Sequence, residues 1–204
     1  MPKAIRRLGV LGSLCNPPHL WHATLAREAS AQFSLERVLL VPTGQPAHRP
    51  SPAESPQVRL RLAAAAAADE QVLEVSRVEI ERPGPSYMVD TLVVLQAEYP
   101  GRELVLLLGA DQFAALDRWH DAERLPLLAT IAVAPRPGCV DPAISLIPHQ
   151  RIDLSEIDVS SSLVRERVAS GASIADLVSP SVARLIASER LYQRGEAPAS
   201  VPSS

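Results

Sequence analysis

Apolar runs of strand length alternate along this chain with stretches that read as helix. Leu8 to Leu11 is the first run, short and continuous as a buried strand is, and Ala23 to Gln32, rich in Ala, Leu and Glu, follows as a helix. Arg37 to Pro42 is a second run that ends on proline. Strand, helix and strand at that spacing predict a right-handed crossover and a parallel sheet. Thr43 to Pro56 is loop, and Gln57 to Asp69, with alanine at every position from 63 to 68, is helix by propensity and small enough to pack closely. Val72 to Ile80 alternates as a strand does, up to Pro83-Gly84-Pro85; from Ser86 the pattern opens a helix that Pro100-Gly101 stops. The run to Leu108 after Glu103 is the most continuous of all and predicts a central parallel strand covered on both faces. A helix from Asp121 to Leu128, a strand from Thr130 to Ala134, a last strand from Arg151 to Leu154 and a helical end piece from Asp158 to Tyr192 complete the pattern. The prediction is one α/β domain over residues 1–194, helical from about 158, with a Pro/Ser/Ala-rich tail over 195–204 expected to be disordered.

Composition narrows the class without naming a chemistry. A length of 204 residues suffices for one well-packed domain, and a formal charge of -3 argues against a general nucleic-acid or membrane-surface binder. No apolar run reaches membrane-spanning length. Two cysteines in unrelated contexts, Cys15 and Cys139, fit a reduced, cytoplasmic protein. The cations other than Lys3 are all arginine, which suits bidentate phosphate contacts and equally reflects genome composition.

The chemistry concentrates between the first strand and the first helix, in Gly12-Ser13-Leu14-Cys15-Asn16-Pro17-Pro18-His19-Leu20-Trp21-His22. His19 and His22, three apart, fall on one face of the first helical turn, where unpaired backbone N–H groups add to the imidazoles to make a pocket for a phosphate chain. The competing readings are two core or surface histidines, or half of a metal site. Zinc would need further ligands, and no Cys/His pair lies at close spacing elsewhere.

This stretch resembles the nucleotidylyltransferase superfamily signature Gly-Gly-Thr-Phe-(Asn/Asp)-Pro-x-His-x-Gly-His, whose histidines bind triphosphate. Gly12, Asn16, Pro17, His19 and His22 match it. Ser13, Leu14, Cys15 and Trp21 depart from it, and Trp21 stands where a glycine lets the nucleotide approach the backbone. Pro85-Ser86-Tyr87-Met88-Val89-Asp90-Thr91-Leu92 resembles the Pro-Ser-Tyr-Thr-x-x-Thr-Leu element of bacterial nicotinate mononucleotide adenylyltransferases, with Met88 in place of a threonine. Asp158 to Arg167 resembles the superfamily's Ile-Ser-Ser-Thr/Ser-x-Ile/Val-Arg helix start, with Ser160, Ser161 and Arg165 on triphosphate oxygens.

Other elements follow the same family. Arg49, in Pro46-Ala47-His48-Arg49, is expected to hold a phosphate, or else is a solvated loop residue. Asp111 after Gly109 accepts from ribose hydroxyls, caps a helix, or does both. Trp119 lines the nicotinate pocket or belongs to the core, and Arg136 of Arg136-Pro137-Gly138 contacts the mononucleotide.

The resemblance implies a Rossmann-like, doubly wound parallel sheet with a small C-terminal helical part. It implies adenylyl transfer from ATP to nicotinate mononucleotide, catalysed through His19, His22 and Arg165. Gly12, Ser13, Asp111, Ser160 and Ser161 join those three around ATP, and Arg49, Tyr87, Met88, Thr91, Trp119 and Arg136 hold the mononucleotide. Mg²⁺ is expected to travel with ATP on substrate oxygens and water, without a protein cage. The expected partners are those two nucleotides, with no nucleic acid or membrane, and a homo-oligomer is compatible with the sequence. Two alternatives stay open: a phosphopantetheine adenylyltransferase-like enzyme, whose Ser-Ser-Ser-Leu-Val-Arg is similar, and a catalytically weakened nucleotide-binding paralogue, which Trp21 favours.

Overall fold

A computed structural model of the chain describes residues 6–47, 50–136, 138–139, 147–155 and 157–193. The expectations placed on Arg49 and on the tail over 195–204 lie outside the described residues.

The apolar runs become strands of one parallel sheet. β1 (Arg6–Ser13) is flanked by β2 (Leu35–Pro42) on one side and by β6 (Arg102–Gly109) on the other. β4 (Leu73–Val75) pairs outside β2, and β7 (Thr130–Ala134) and β8 (Gln150–Arg151) continue beyond β6. The order β4-β2-β1-β6-β7-β8 reverses direction between β1 and β6. That reversal opens a crevice beyond the carboxyl ends of these two strands, where open α/β sheets bind ligands.

Successive strand residues point to opposite faces, so each run feeds two cores. Leu11, Val38, Leu40, Val105, Leu107, Ala132 and Ala134 pack beneath α1 (Leu20–Phe33), α2 (Pro56–Ala68), α7 (Ser161–Ser170) and α8 (Pro180–Ser188). Leu8, Val10, Leu39, Val41, Leu104, Leu106, Leu108, Ile131 and Val133 pack on the other face against α4 (Met88–Glu98) and α6 (Leu125–Leu128). The small side chains of α2 do pack closely: Leu62 and Ala63 are fully buried. The C-terminal helices dock through the end of α2, where Asp69 accepts from the Ser181 amide at 2.7 Å and from its hydroxyl at 2.8 Å. No helix among the described residues is long and apolar enough to cross a membrane.

Four local readings need correction. The alternation of Val72 to Ile80 yields only three strand residues, because β4 has a single neighbour and pairs with it from Leu73 to Val75; the chain then turns into α3 (Val78–Glu81). The helix expected from Ser86 begins at Met88, and β5 (Pro85–Ser86) pairs in parallel with β3 (Gln45–Pro46), inside the stretch expected to be loop. Residues 121–128 form a 3₁₀ turn, Ala122–Arg124, before the four residues of α6. The last strand stops at Arg151 rather than Leu154, although Ile152 and Leu154 remain buried.

Candidate active site

A cavity of about 640 Å³ lies at the reversal point of the sheet. Its walls include Gly12, Ser13, His19, Trp21 and His22 from the end of β1 and the start of α1, and Tyr87 and Met88 from the start of α4. Asp111, Trp119, Arg136, Ser160, Ser161 and Arg165 complete the ring. Residues dispersed over most of the chain therefore face one space.

The first motif is held by contacts on every side. The Asn16–Pro17 peptide is cis, and Cys15 adopts φ 52° between β1 and α1. Arg165 Nη1 donates to Asn16 O at 2.7 Å, Ser161 Oγ to Pro17 O at 2.8 Å, and Tyr192 Oη to Asn16 Oδ1 at 2.8 Å. The start of α7 is thus tied directly to the loop that carries the histidines, and Ser160 caps α7 by accepting from Leu163 N at 3.2 Å.

The anion-binding potential expected of the α1 amides is largely spent inside the protein. Leu20 N–H donates to Leu177 O at 2.9 Å, His22 N–H to His19 O at 2.9 Å, and His19 N–H to His22 Nδ1 at 3.2 Å. His22 Nε2 lies 2.9 Å from Ser13 Oγ, an oxygen that also accepts from Cys15 N–H at 3.1 Å, and His22 Nδ1 lies 3.3 Å from His19 O. His19 Nδ1 is buried and has no partner among the described residues. The donors left to face the cavity from this stretch are therefore mainly side chains.

Burial pulls the pKa of His22 down to about 4, and Arg136 adds to that; for His19 burial, the neighbouring His22 and Arg136 depress it further. Both imidazoles are neutral at pH 7, with ring centroids 4.3 Å apart. An anion placed beside the rings would act against this shift, since a nearby negative charge favours the charged imidazole.

Tyr87 and Met88 form the opposite end with Trp119 and His120. The Tyr87 and His120 rings stack with centroids 4.2 Å apart, and Trp119 is part-buried against the α4 side of the core while still lining the cavity. Met88 Cε comes so close to Gly12 that a Cβ there would lie 2.6 Å from it, so the glycine makes room for the methionine.

Two expectations change. Asp111 lies in the first turn of α5 (Ala110–Phe113) and lines the cavity, but the helix is capped at Gly109, so the N-cap role does not hold. Thr91 is fully buried and does not reach the cavity; its hydroxyl donates to Glu79 Oε1 at 2.7 Å. Glu79, which nothing in its local sequence marked, lines the cavity instead, with its carboxyl pKa raised by burial.

Arg59 was equally silent in the sequence. It is only 1% exposed and joins the two loops that follow β1 and β2: Nη1 donates to Leu14 O at 2.9 Å and to Thr43 O, and Nη2 to Gly44 O at 2.8 Å. Gly44 is required at its position because a Cβ would lie 2.1 Å from Glu79 O. A buried guanidinium and a side-chain-free residue thus hold the loops that carry Leu14 and Thr43, both of which line the cavity.

Residues 11–167 match the cytidylyltransferase-like family. A protein of Dehalococcoides mccartyi named "Probable nicotinate-nucleotide adenylyltransferase" is 37% identical over 92% of this chain and 98% of its own length. One of the same name from Saccharopolyspora erythraea is 39% identical over 94% of this chain and 91% of its own. Among solved structures, Plasmodium falciparum nicotinic acid mononucleotide adenylyltransferase complexed with NaAD superposes with a TM-score of 0.74 at 16% identity, covering 92% of this chain and 97% of that one. The same Plasmodium falciparum enzyme complexed with APC gives a TM-score of 0.72 at 17% identity, with the same coverage.

Proposed function

Because this chain belongs to the cytidylyltransferase-like family and, within it, to the nicotinate-nucleotide adenylyltransferases, we propose that it transfers the adenylyl group of ATP to nicotinate mononucleotide. The products are nicotinate adenine dinucleotide and pyrophosphate, in a step of NAD biosynthesis. The observation that carries this reading is the convergence of His19, His22 and Arg165 on one cavity from places far apart in the sequence.

The 5′-phosphate of the mononucleotide attacks the α-phosphorus of ATP in line. A bond forms from its anionic oxygen to that phosphorus, and the bond to the β-bridging oxygen breaks with its electron pair on pyrophosphate. The nucleophile is already ionised, so no residue has to remove a proton from it. The protein's work is positioning and stabilising charge on phosphoryl oxygens. His19 and His22 present neutral donors that can become cationic beside phosphate, and Arg165 adds a permanent planar cation. Asp111 receives ribose hydroxyls, and Ser160 and Ser161 bring the start of α7 to the triphosphate.

Tyr87, Met88 and Trp119 bound the pyridine ring at the mononucleotide end, and Arg136, whose guanidinium lies over Trp21, is available to the mononucleotide's phosphate. Mg²⁺ bound to the triphosphate would neutralise part of its charge. Such an ion would be held by substrate oxygens and water, with Asp111, which lines the cavity, available to the waters around it. The unpaired Cys15 and Cys139 fit a cytoplasmic setting.

Purified protein supplied with ATP, Mg²⁺ and nicotinate mononucleotide is expected to release pyrophosphate, and His22→Ala to lose this activity by about 100-fold or more. Turnover with phosphopantetheine instead, or ATP binding with no turnover on the mononucleotide, would overturn the assignment.

A further inference from the structure

Trp21 lines the cavity and yet is only 4% exposed. What lies over its ring is Arg136, whose guanidinium carbon is 3.9 Å from the indole centroid. Arg136 is lightly held there. Its Nη1 donates to Val159 O at 3.3 Å, the Asp111 carboxylate is 3.7 Å from Nε, and Nε has no hydrogen-bond partner among the described residues. A planar cation with several donors to spare rests on an aromatic face at the separation a stacked base would take.

The position of the indole says which ring would replace it. The cavity has two aromatic ends, and they belong to opposite faces of the sheet: Trp21 packs with the core under α1 and α7, Tyr87 and Trp119 with the core under α4. Trp21 adjoins His22, with ring centroids 5.6 Å apart, and so stands beside the histidines assigned to the triphosphate. The ring that arrives attached to the triphosphate is the purine.

We propose that Trp21 is the stacking platform for the adenine of ATP and that Arg136 is its removable cover, lying on the indole in the free protein and displaced when the base arrives. The proposal rests on the adenylyl-transfer reading and adds to it a residue that determines base affinity. It also gives the tryptophan of the first motif a function: the indole replaces close backbone approach by a π surface.

The chain has two tryptophans, so in a Trp119→Phe background Trp21 is the sole indole emitter. Titration with ATP and, separately, with adenosine is expected to shift or quench Trp21 emission saturably, at the dissociation constants that calorimetry gives for the same samples. Adenosine carries no phosphate, so its effect reports the base. Arg136→Ala is expected to tighten adenosine binding on the order of fivefold, because no cation has to leave the indole first, and Trp21→Leu to weaken it by a similar factor. Calorimetric binding of ATP with unmoved Trp21 emission would overturn the platform, and weaker adenosine binding in Arg136→Ala would overturn the cover. Absence of any ATP binding would remove the adenylyl-transfer reading itself and this proposal with it; the emission experiment needs no variant at Trp21 and stands even if Trp21→Leu fails to fold.

Discussion

Arg165 and Asn16 stand 149 positions apart and are joined by a hydrogen bond of 2.7 Å from the guanidinium Nη1 to the main-chain oxygen. The same guanidinium donates through Nη2 to Ser162 Oγ at 3.1 Å, so its plane is set by groups from both ends of the chain. The guanidinium proposed to meet phosphate is thereby oriented in advance, which would lower the ordering cost of binding.

That geometry separates charge from shape. Arg165→Lys keeps the cation but cannot hold two acceptors in one rigid fork, and it is expected to lower kcat/KM by about tenfold or more. Arg165→Ala removes both and is expected to lower it by roughly 100-fold or more. Steady-state kinetics of the two variants check the order; equal losses would mean that positive charge alone matters at this position.

Arg59 supports the site from behind. Arg59→Met leaves the carbonyls of Leu14, Thr43 and Gly44 without their shared donor in a buried place, and is expected to cost on the order of 3–5 kcal/mol of stability. Denaturant unfolding measures this; a loss below about 1 kcal/mol would show that water replaces the guanidinium.

Thr91 tests whether a motif position is a ligand or a strut. Its hydroxyl is turned toward Glu79 and not toward the cavity. Thr91→Val is expected to cost about 1–3 kcal/mol by leaving a buried carboxyl short of a donor. The KM for nicotinate mononucleotide should change by less than about twofold beyond any loss of folded protein. A large KM effect at full folding would return Thr91 to the substrate.

How far the sequence speaks depends on whether the cause is local. The runs that became β1, β2, β6 and β7 are legible because a strand buried on both faces needs apolar residues at every position. The histidines and the α7 serines are legible because spacing alone puts them on helix starts. Arg59 is not: on a helix of alanines an arginine reads as solvated, and only the approach of two distant loops supplies the carbonyls of Leu14, Thr43 and Gly44. The α1 amides mislead for the same reason, since the acceptor for Leu20 N–H is Leu177, far along the chain. The short β4 and the β3–β5 pair are likewise decided by what lies alongside them and not by their own patterns.

The buried imidazoles make stability depend on pH with a definite sign. An unfolded histidine titrates near 6.5, whereas burial holds His22 at about 4 and His19 lower still, so between these values the unfolded chain binds more protons than the folded one. Stability therefore rises with pH in this window: the contribution of the neutral rings is complete above pH 6.5 and is lost as pH falls toward 4. Between pH 6.5 and about 5 most carboxylates stay ionised in both states, and each histidine is expected to account for on the order of 1–2 kcal/mol. Glu79 acts in the opposite sense, because a carboxyl raised by burial favours the folded state at low pH and loses that contribution as pH rises. The comparison that isolates the imidazole is therefore wild type against His22→Asn, by denaturant unfolding at several values from pH 7.5 to 5.0. The variant should be flatter by about one proton's slope, roughly 1.4 kcal/mol per pH unit at most. Parallel curves would mean that His22 is protonated in the folded protein, and the neutral-donor role assigned to it at the triphosphate would fall with that result.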